Sequence, residues 1–380
     1  VRATQEAIRV LGQAANPGET TITLTQNPAH SALRPGSLIV IDPYTVEAEL
    51  RRVKSIAAHV VTLDKPLSYG HSGDDRVFAV TGGLYPWDWW GARPASTGYA
   101  ADNVLAFNRC AQQQYDLGGG SNTGTAGMFV PPGAWYVNNQ LRPERDQAIS
   151  GVGCSKSLIY AAAGFPFDTT GEVAIIHPQR DGNPVGYAAI NNTTRCYIEN
   201  LYVSGSNLPD ANGILLKVQQ PNAIRDLRVD NCPGLYGLCV MGQDGLFDNI
   251  MLVGNQVPLV LRGAQLMKFR HFNVEQTTGP ANVVVGERGA GYWISFNGVH
   301  FEKHLETIGF DLREGASAFA CRDLYYANPQ TGTCFRFDTP IANPGNACRF
   351  VLENIWCNAN SQTFKIVDDI QRGKSITSWN

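Results

Sequence analysis

Along the C-terminal half of the chain a six-residue pattern, apolar at its first, fourth and sixth positions, returns seven times. The copies begin at Ile198, Ile224, Phe247, Phe269, Phe296, Cys321 and Leu352, at intervals of 26, 23, 22, 27, 25 and 31 residues. The fourth position holds Leu201, Leu227, Ile250, Phe272, Val299, Leu324 and Ile355, and the sixth Val203, Val229, Leu252, Val274, Phe301, Tyr326 and Cys357. From the fourth position on, inward and outward side chains alternate as in a strand. The third position is Asn200, Asp226, Asn249, His271, Gly298, Asp323 and Asn354. Asn, Asp and Gly accept a left-handed backbone cheaply, so the hexad predicts strand, one-residue bend, strand. Stacked Asn side chains can also hydrogen-bond their copies in neighbouring coils.

A second apolar register recurs in step: Ile214/Leu216, Leu238/Val240, Leu259/Leu261, Val283/Val285, Phe310/Leu312, Phe335/Phe337 and Phe364/Ile366. Units of this size cannot bury a core alone and must stack. Three strands per coil, with loops absorbing the uneven spacing, predict an all-β fold, a right-handed single-stranded parallel β-helix. A leucine-rich repeat has a similar period but a fixed Leu spacing, and the irregular intervals argue against it. The stretches 128–160 and 173–190 fit the pattern less cleanly.

Residues 1–82 read as a small N-terminal β module, with short β-rich runs at 21–26, 37–42, 49–56 and 59–64 separated by Pro, Gly and Asp. The helical domain then occupies 83–380. Between them Tyr85-Pro86-Trp87-Asp88-Trp89-Trp90-Gly91-Ala92 forms an aromatic junction whose tryptophans are expected to pack between the modules. Val104, Leu105, Phe107 and Cys110 predict one amphipathic helix over 102–115, with Asp102 as N-cap. The Gly/Ser/Thr-rich stretch 117–127, including Gly118-Gly119-Gly120, reads as a loop.

Trp89-Trp90-Gly91-Ala92-Arg93, a helix, Phe129-Val130-Pro131-Pro132-Gly133-Ala134-Trp135-Tyr136-Val137 and Ile149-Ser150-Gly151-Val152-Gly153 follow one another in this order. This series resembles the opening segment of pectate-lyase-like β-helix proteins. That superfamily includes phage tailspike depolymerases, glycoside hydrolases and polysaccharide lyases. The resemblance covers about residues 84–370 and is specific for fold rather than for chemistry. It implies a short helix capping the N-terminal end, a carbohydrate polymer lying along the outside, and a homotrimer with its groove on or between subunits. An extracellular or virion-associated location is implied with it.

Composition narrows the partners. Charged residues are 17% of the chain and the net charge is −3, with no Lys/Arg run, so phosphate neutralisation of a nucleic acid is not expected. No apolar stretch has the length of a membrane span. No signal-peptide pattern is visible at the N-terminus. None of the nine Cys forms a CxxC pair or a Cys/His cluster of zinc spacing, and no cofactor or metal is expected. Cys321 and Cys357 fall on core columns and read as small apolar residues. Cys232 with Cys239, and Cys334 with Cys348, are candidate local disulfides.

Stacking turns sequence into geometry, because equivalent positions on adjacent coils stand about 4.8 Å apart. The seventh, outward position holds Ser204, Asp230, Val253, Glu275, Glu302, Ala327 and Asn358. Glu275 and Glu302 are therefore expected as neighbours on an exposed face. Two carboxylates so close cannot both ionise freely, which suits one as proton donor and the other as base or nucleophile. That pair is what glycoside hydrolysis needs, by retention at about 5 Å or by inversion at about 6.5–9.5 Å. Asn273 and His300 at position five, with Arg270 and Asn297 at position two, are the candidate substrate-binding residues. The bland alternative pairs Glu275 with Arg270 or a nearby loop residue, and Glu302 with Lys303 or His304, as a solvated charge ladder.

Asp311, Arg313, Arg336 and Asp338 alternate in sign on the second register, with Glu287 and Glu314 beyond, which suggests a structural salt-bridge ladder. Asp230, Asp244 and Asp248 are further acids, and His177 and His271 lone histidines, His271 in the bend column. A lyase acting by β-elimination on a uronic acid polymer would instead use Arg270 and His300. A non-catalytic carbohydrate-binding spike would need no coupled acids.

Overall fold

The computed structural model describes residues 4–26, 33–81, 84–117, 127–144, 147–180, 183–184, 196–218, 222–286, 293–302, 306–313, 318–327, 331–337, 349–358, 365–369 and 374–376. It is a right-handed parallel β-helix with a small antiparallel sheet at its N-terminal end and one helix, Ala100–Leu117. The sequence expectations at Gly118–Gly120, Glu287, Lys303, His304, Glu314, Asp338, Cys348 and Phe364 lie outside the described residues.

The seven hexads stack in parallel register. Ile198 pairs with Ile224, then Phe247, Phe269, Phe296, Cys321 and Leu352 in turn. All seven third positions are left-handed, with φ of 58° at Asn200, 48° at Asp226, 56° at Asn249, 49° at His271, 70° at Gly298, and 54° at Asp323 and Asn354. Neighbouring bends are tied together: Nδ2 of Asn249 donates to Oδ1 of Asp226 at 2.6 Å, and Nδ2 of Asn354 to Oδ1 of Asp323 at 2.9 Å. Each hexad strand is thus two segments joined at a fixed corner, and a further strand on the second register completes the coil.

The inward columns fill the bore. Phe247, Phe269 and Phe296 stack with ring centroids 4.5 Å apart at each step, and Phe310 lies flat on Phe335 at 5.3 Å. Stacking follows from register, because identical ring types meet at one strand spacing. The second register pairs as predicted from Ile214 to Phe335. It slips at the last coil, where Phe335 meets Val367, not Phe364. The apolar pair Phe364/Ile366 stands three residues ahead of the register that the strand adopts. Towards the N-terminus the first column continues through Ile149, Met128 and Tyr85 without the hexad's bend.

The helix covers this end. It begins at Ala100, after a 3-10 turn Thr97–Tyr99 that Ser96 caps by accepting from the N–H of Gly98. Asp102 therefore sits inside the first turn and is not the N-cap. Phe107, Cys110 and Ala111 are buried, while Leu105 is 45% exposed, contrary to its expected place on the apolar face. Trp87, Trp89 and Trp90 are buried, and Trp87 stacks on Trp135 at 5.0 Å. They share one apolar cluster with Val40, Ala48 and Leu50, so the junction packs the sheet against the first coils. Gly91, at φ 85°, lets the Thr45–Val46 backbone approach, since a Cβ there would stand 2.8 Å from it.

The N-terminal sheet has six antiparallel strands in the order Thr4–Val10, Arg76–Thr81, Leu38–Ile41, Glu49–Ala57, Val60–Leu63 and Thr21–Thr23. The first two lie outside the β-rich runs read from the sequence: Thr4–Val10 is interrupted by Glu6 and Arg9, whereas Arg76–Thr81 carries an apolar run, Val77–Val80, and pairs with both Thr4–Val10 and Leu38–Ile41. Cys232, Cys239 and Cys334 are buried and not in disulfides, so the expected Cys232–Cys239 bridge is not formed and Cys334 is unbridged. Burial pushes Cys232 up to about 12.

Candidate functional site

The strand segments after the bend form one outward face with two side-chain columns. The first runs Tyr202, Arg228, Met251, Asn273, His300, Tyr325, Trp356. The second runs Tyr136, Tyr160, Ser204, Asp230, Val253, Glu275, Glu302. Glu275 and Glu302 are register partners, as are Asn273 and His300 beside them. Nδ2 of Asn273 donates to Oε1 of Glu275 at 3.3 Å. Nε2 of His300 stands 3.9 Å from Oε2 of Glu302, too far for a hydrogen bond. Both glutamates are half-buried.

Arg270 and Asn297 are also register partners, but they precede the left-handed residues His271 and Gly298. The corner places them on the adjoining face, so the four polar residues expected to surround the glutamates are split two and two. Arg270 is exposed, and the partner that the structure gives Glu275 is Asn273. His271 caps the corner, with Nδ1 2.8 Å from Oδ1 of Asp248.

Two features of the strip escape a reading of the acids alone. One is aromatic. Tyr136 and Tyr160 stack at 5.5 Å, Tyr160 leans on Tyr202 at 5.5 Å, and the Arg228 guanidinium lies 5.6 Å from the Tyr202 ring centre. At the far end Tyr325 follows His300 at 5.4 Å, and Trp356 is 70% exposed. The other is Asp230. Its carboxylate takes a fork from Arg228, at 2.9 Å and 3.0 Å from Nε and 2.7 Å from Nη2. Burial raises its pKa despite that pairing, and the charge of Glu275, two coils along the column, adds to the rise. Burial and the Asp230 charge likewise push the Tyr202 hydroxyl up to about 12. Listing position five as a column would have shown the aromatic ends. The burial of Asp230 depends on packing by its neighbours.

The second charged constellation is a ladder around one buried acid. Asp311 accepts from Nε of Arg313 at 2.8 Å and from Nε and Nη2 of Arg336 at 2.8 and 2.7 Å. His177 is buried, with Nδ1 3.0 Å from Nε2 of Gln140. Among the described residues the grouping with metal-ligand spacing is Asp42, His71 and Asp75, in the N-terminal sheet and not on this strip.

No protein-family model matches the chain, and no curated protein matches it. Solved structures do. The pre-mature bacteriophage phi29 gene product 12 matches with a TM-score of 0.50 at 11% identity, over 71% of this chain and 37% of that one. The iota-carrageenase of family GH82 from A. fortis matches at 0.48 and 12% identity, over 68% and 55%. The Dettilon tailspike protein matches at 0.48 and 11%, over 68% and 47%. The chain spans less than two thirds of the length of each. What is shared is the fold, a right-handed parallel β-helix. Among the described residues no helix is long and apolar enough to cross a membrane.

Proposed function

We propose that this chain is a carbohydrate-active β-helix protein that holds a polysaccharide along the strip after the bend and hydrolyses its glycosidic bonds with Glu275 and Glu302. The observation that carries the reading is the register pairing of these two glutamates midway along a face with aromatic rings at both ends. One carboxyl would protonate the leaving oxygen and the other act as base or nucleophile. Asn273 and His300 lie beside them to bind hydroxyls. Flat rings at Tyr202, Tyr325 and Trp356 suit the apolar faces of sugars. In this reading residues 83–380 form the active domain, residues 1–82 a separate module, and the assembly is a homotrimer on a virion or outside the cell.

Product mass spectrometry on a panel of neutral and acidic polysaccharides tests it. Fragments gaining one water per cut are expected, with a loss of about 10²–10⁴-fold in rate for Glu275→Gln and for Glu302→Gln. Unsaturated fragments would replace hydrolysis by β-elimination and move the chemistry to Arg270 and His300. Binding without cleavage would leave a recognition spike. Full activity in both Gln variants would remove the site assignment, and a monomeric mass in light scattering would remove the trimer.

A further inference from the structure

The N-terminal sheet gathers a cluster of ionisable groups that the carbohydrate strip does not use. Asp42 follows the strand Leu38–Ile41, Asp75 precedes Arg76–Thr81, and His71 lies on the loop leading to it. Those two strands are paired, which brings Asp42 to the 71–75 segment. The N–H of Asp42 donates to the carbonyl of Arg76 at 2.7 Å, and His71 is locked by a reciprocal backbone pair with Ala15 at 2.8 and 2.9 Å. One donor atom from each of Asp42, His71 and Asp75 lies within 4.8 Å of the others.

The histidine is the informative member. Its side chain is wholly buried, its Nε2 lies 3.2 Å from Oε1 of buried Glu49, and its Nδ1 has no hydrogen-bond partner. An N–H on Nε2 directed at Glu49 leaves Nδ1 with a free lone pair. Nδ1 stands 3.4 Å from Oδ2 of Asp75, on the side of the ring away from Glu49. Two donors each about 2.0–2.1 Å from one tetrahedral ion stand about 3.3 Å apart, so this separation is that of co-ligands. Glu49 occupies the place of the carboxylate that orients a metal-binding imidazole through its other nitrogen. It is itself fixed by Arg51 and by the N–H groups of Ser68 and Tyr69 at 3.0 and 2.7 Å.

The aspartates are held as well. Thr45 Oγ1 donates to Asp42 Oδ2 at 2.8 Å, and the N–H of Ser72 to Asp75 Oδ2 at 2.8 Å.

We propose that Asp42, His71 and Asp75 bind a divalent transition-metal ion, zinc by donor set, which clamps the 71–75 loop to the end of the sheet. Imidazole nitrogen with two carboxylates suits zinc better than calcium or magnesium, which take oxygen alone. The role is structural, because Thr45 joins this corner to the tryptophan junction: the N–H of the adjacent Tyr44 donates to the carbonyl of Trp89 at 2.6 Å.

The test uses the full chain without a polyhistidine tag, stripped with chelator, equilibrated with zinc and passed through gel filtration. Elemental analysis is expected to find one zinc per chain, and zinc is expected to raise Tm by mass action. Asp42→Asn and Asp75→Asn, checked for folding by circular dichroism, are expected to lose both effects, as is His71→Ala if it folds. Cobalt(II) in place of zinc is expected to show d–d absorption without a thiolate charge-transfer band. Substoichiometric zinc in the parent chain, zinc retained by both Asn variants, or a thiolate band would each overturn the proposal.

Discussion

The bend column can be tested at Gly298, the one position of the seven where glycine stands in place of a side chain. A Cβ added there would meet nothing closer than the His271 backbone nitrogen at 3.6 Å, which is ordinary contact. Gly298→Ala therefore isolates backbone conformation from packing. Holding a non-glycine residue at φ 70° costs about 1–2 kcal/mol. Alanine also restricts the unfolded chain, which returns about 0.4–1 kcal/mol. The net is a destabilisation of roughly 1 kcal/mol, or about 1–2 °C in Tm for a unit of this size. Gly298→Asn should stay within about 0.5 kcal/mol of the parent, because Asn tolerates this conformation. Thermal and urea unfolding followed by intrinsic fluorescence read the difference. Hydrogen exchange over residues 294–302 should show it locally, since Val299 to Glu302 continue from this corner. The reasoning fails if Gly298→Ala raises Tm, the usual effect of Gly→Ala where the backbone is compatible.

Phe269 is 1% exposed and stacked between Phe247 and Phe296, so Phe269→Ala should cost about 3–5 kcal/mol in urea unfolding; a loss under 1 kcal/mol would mean that the bore collapses around the gap. Trp356→Ala removes an exposed ring from the strip and should weaken polysaccharide binding about tenfold, ~1.4 kcal/mol, in calorimetry without lowering Tm. Equal affinity would take Trp356 out of the binding face. For Glu49, burial acts to raise the pKa, but hydrogen bonds from His71, Ser68 and Tyr69 and the Arg51 charge outweigh it and leave the carboxyl below its usual 4.5. A lowered folded-state pKa gives stability that is present above the unfolded value and lost as pH falls through the folded one. The Tm of the parent should therefore drop below pH 4.5. Glu49→Gln should remove that slope while costing about 3–5 kcal/mol at neutral pH, and an unchanged acid slope in the variant would count against the assignment.

The solenoid was legible because its information is local and repeated. An apolar first position, a left-handed third and apolar fourth and sixth are demands of one short stretch of backbone, and stacking imposes them on every coil. Seven hexads therefore announced both the strand register and the corner, and the column arithmetic that set Glu275 beside Glu302 needed nothing more. Where the repeat lost its bend, as at Met128 and Ile149, or in the last coil, at Val367, the same arithmetic faltered. Tertiary structure decided what the period does not encode. The corner at His271 and Gly298 turned Arg270 and Asn297 onto a different face from the glutamates. Packing buried Asp230 against Arg228 and raised its pKa, while Leu105 was left in solvent. Strand pairing in the N-terminal sheet carried Asp42 across to His71 and Asp75, a juxtaposition with no periodic signature. Backbone periodicity constrains a residue relative to its own strand, whereas a site forms between side chains whose separation is set by how connections fold back in space.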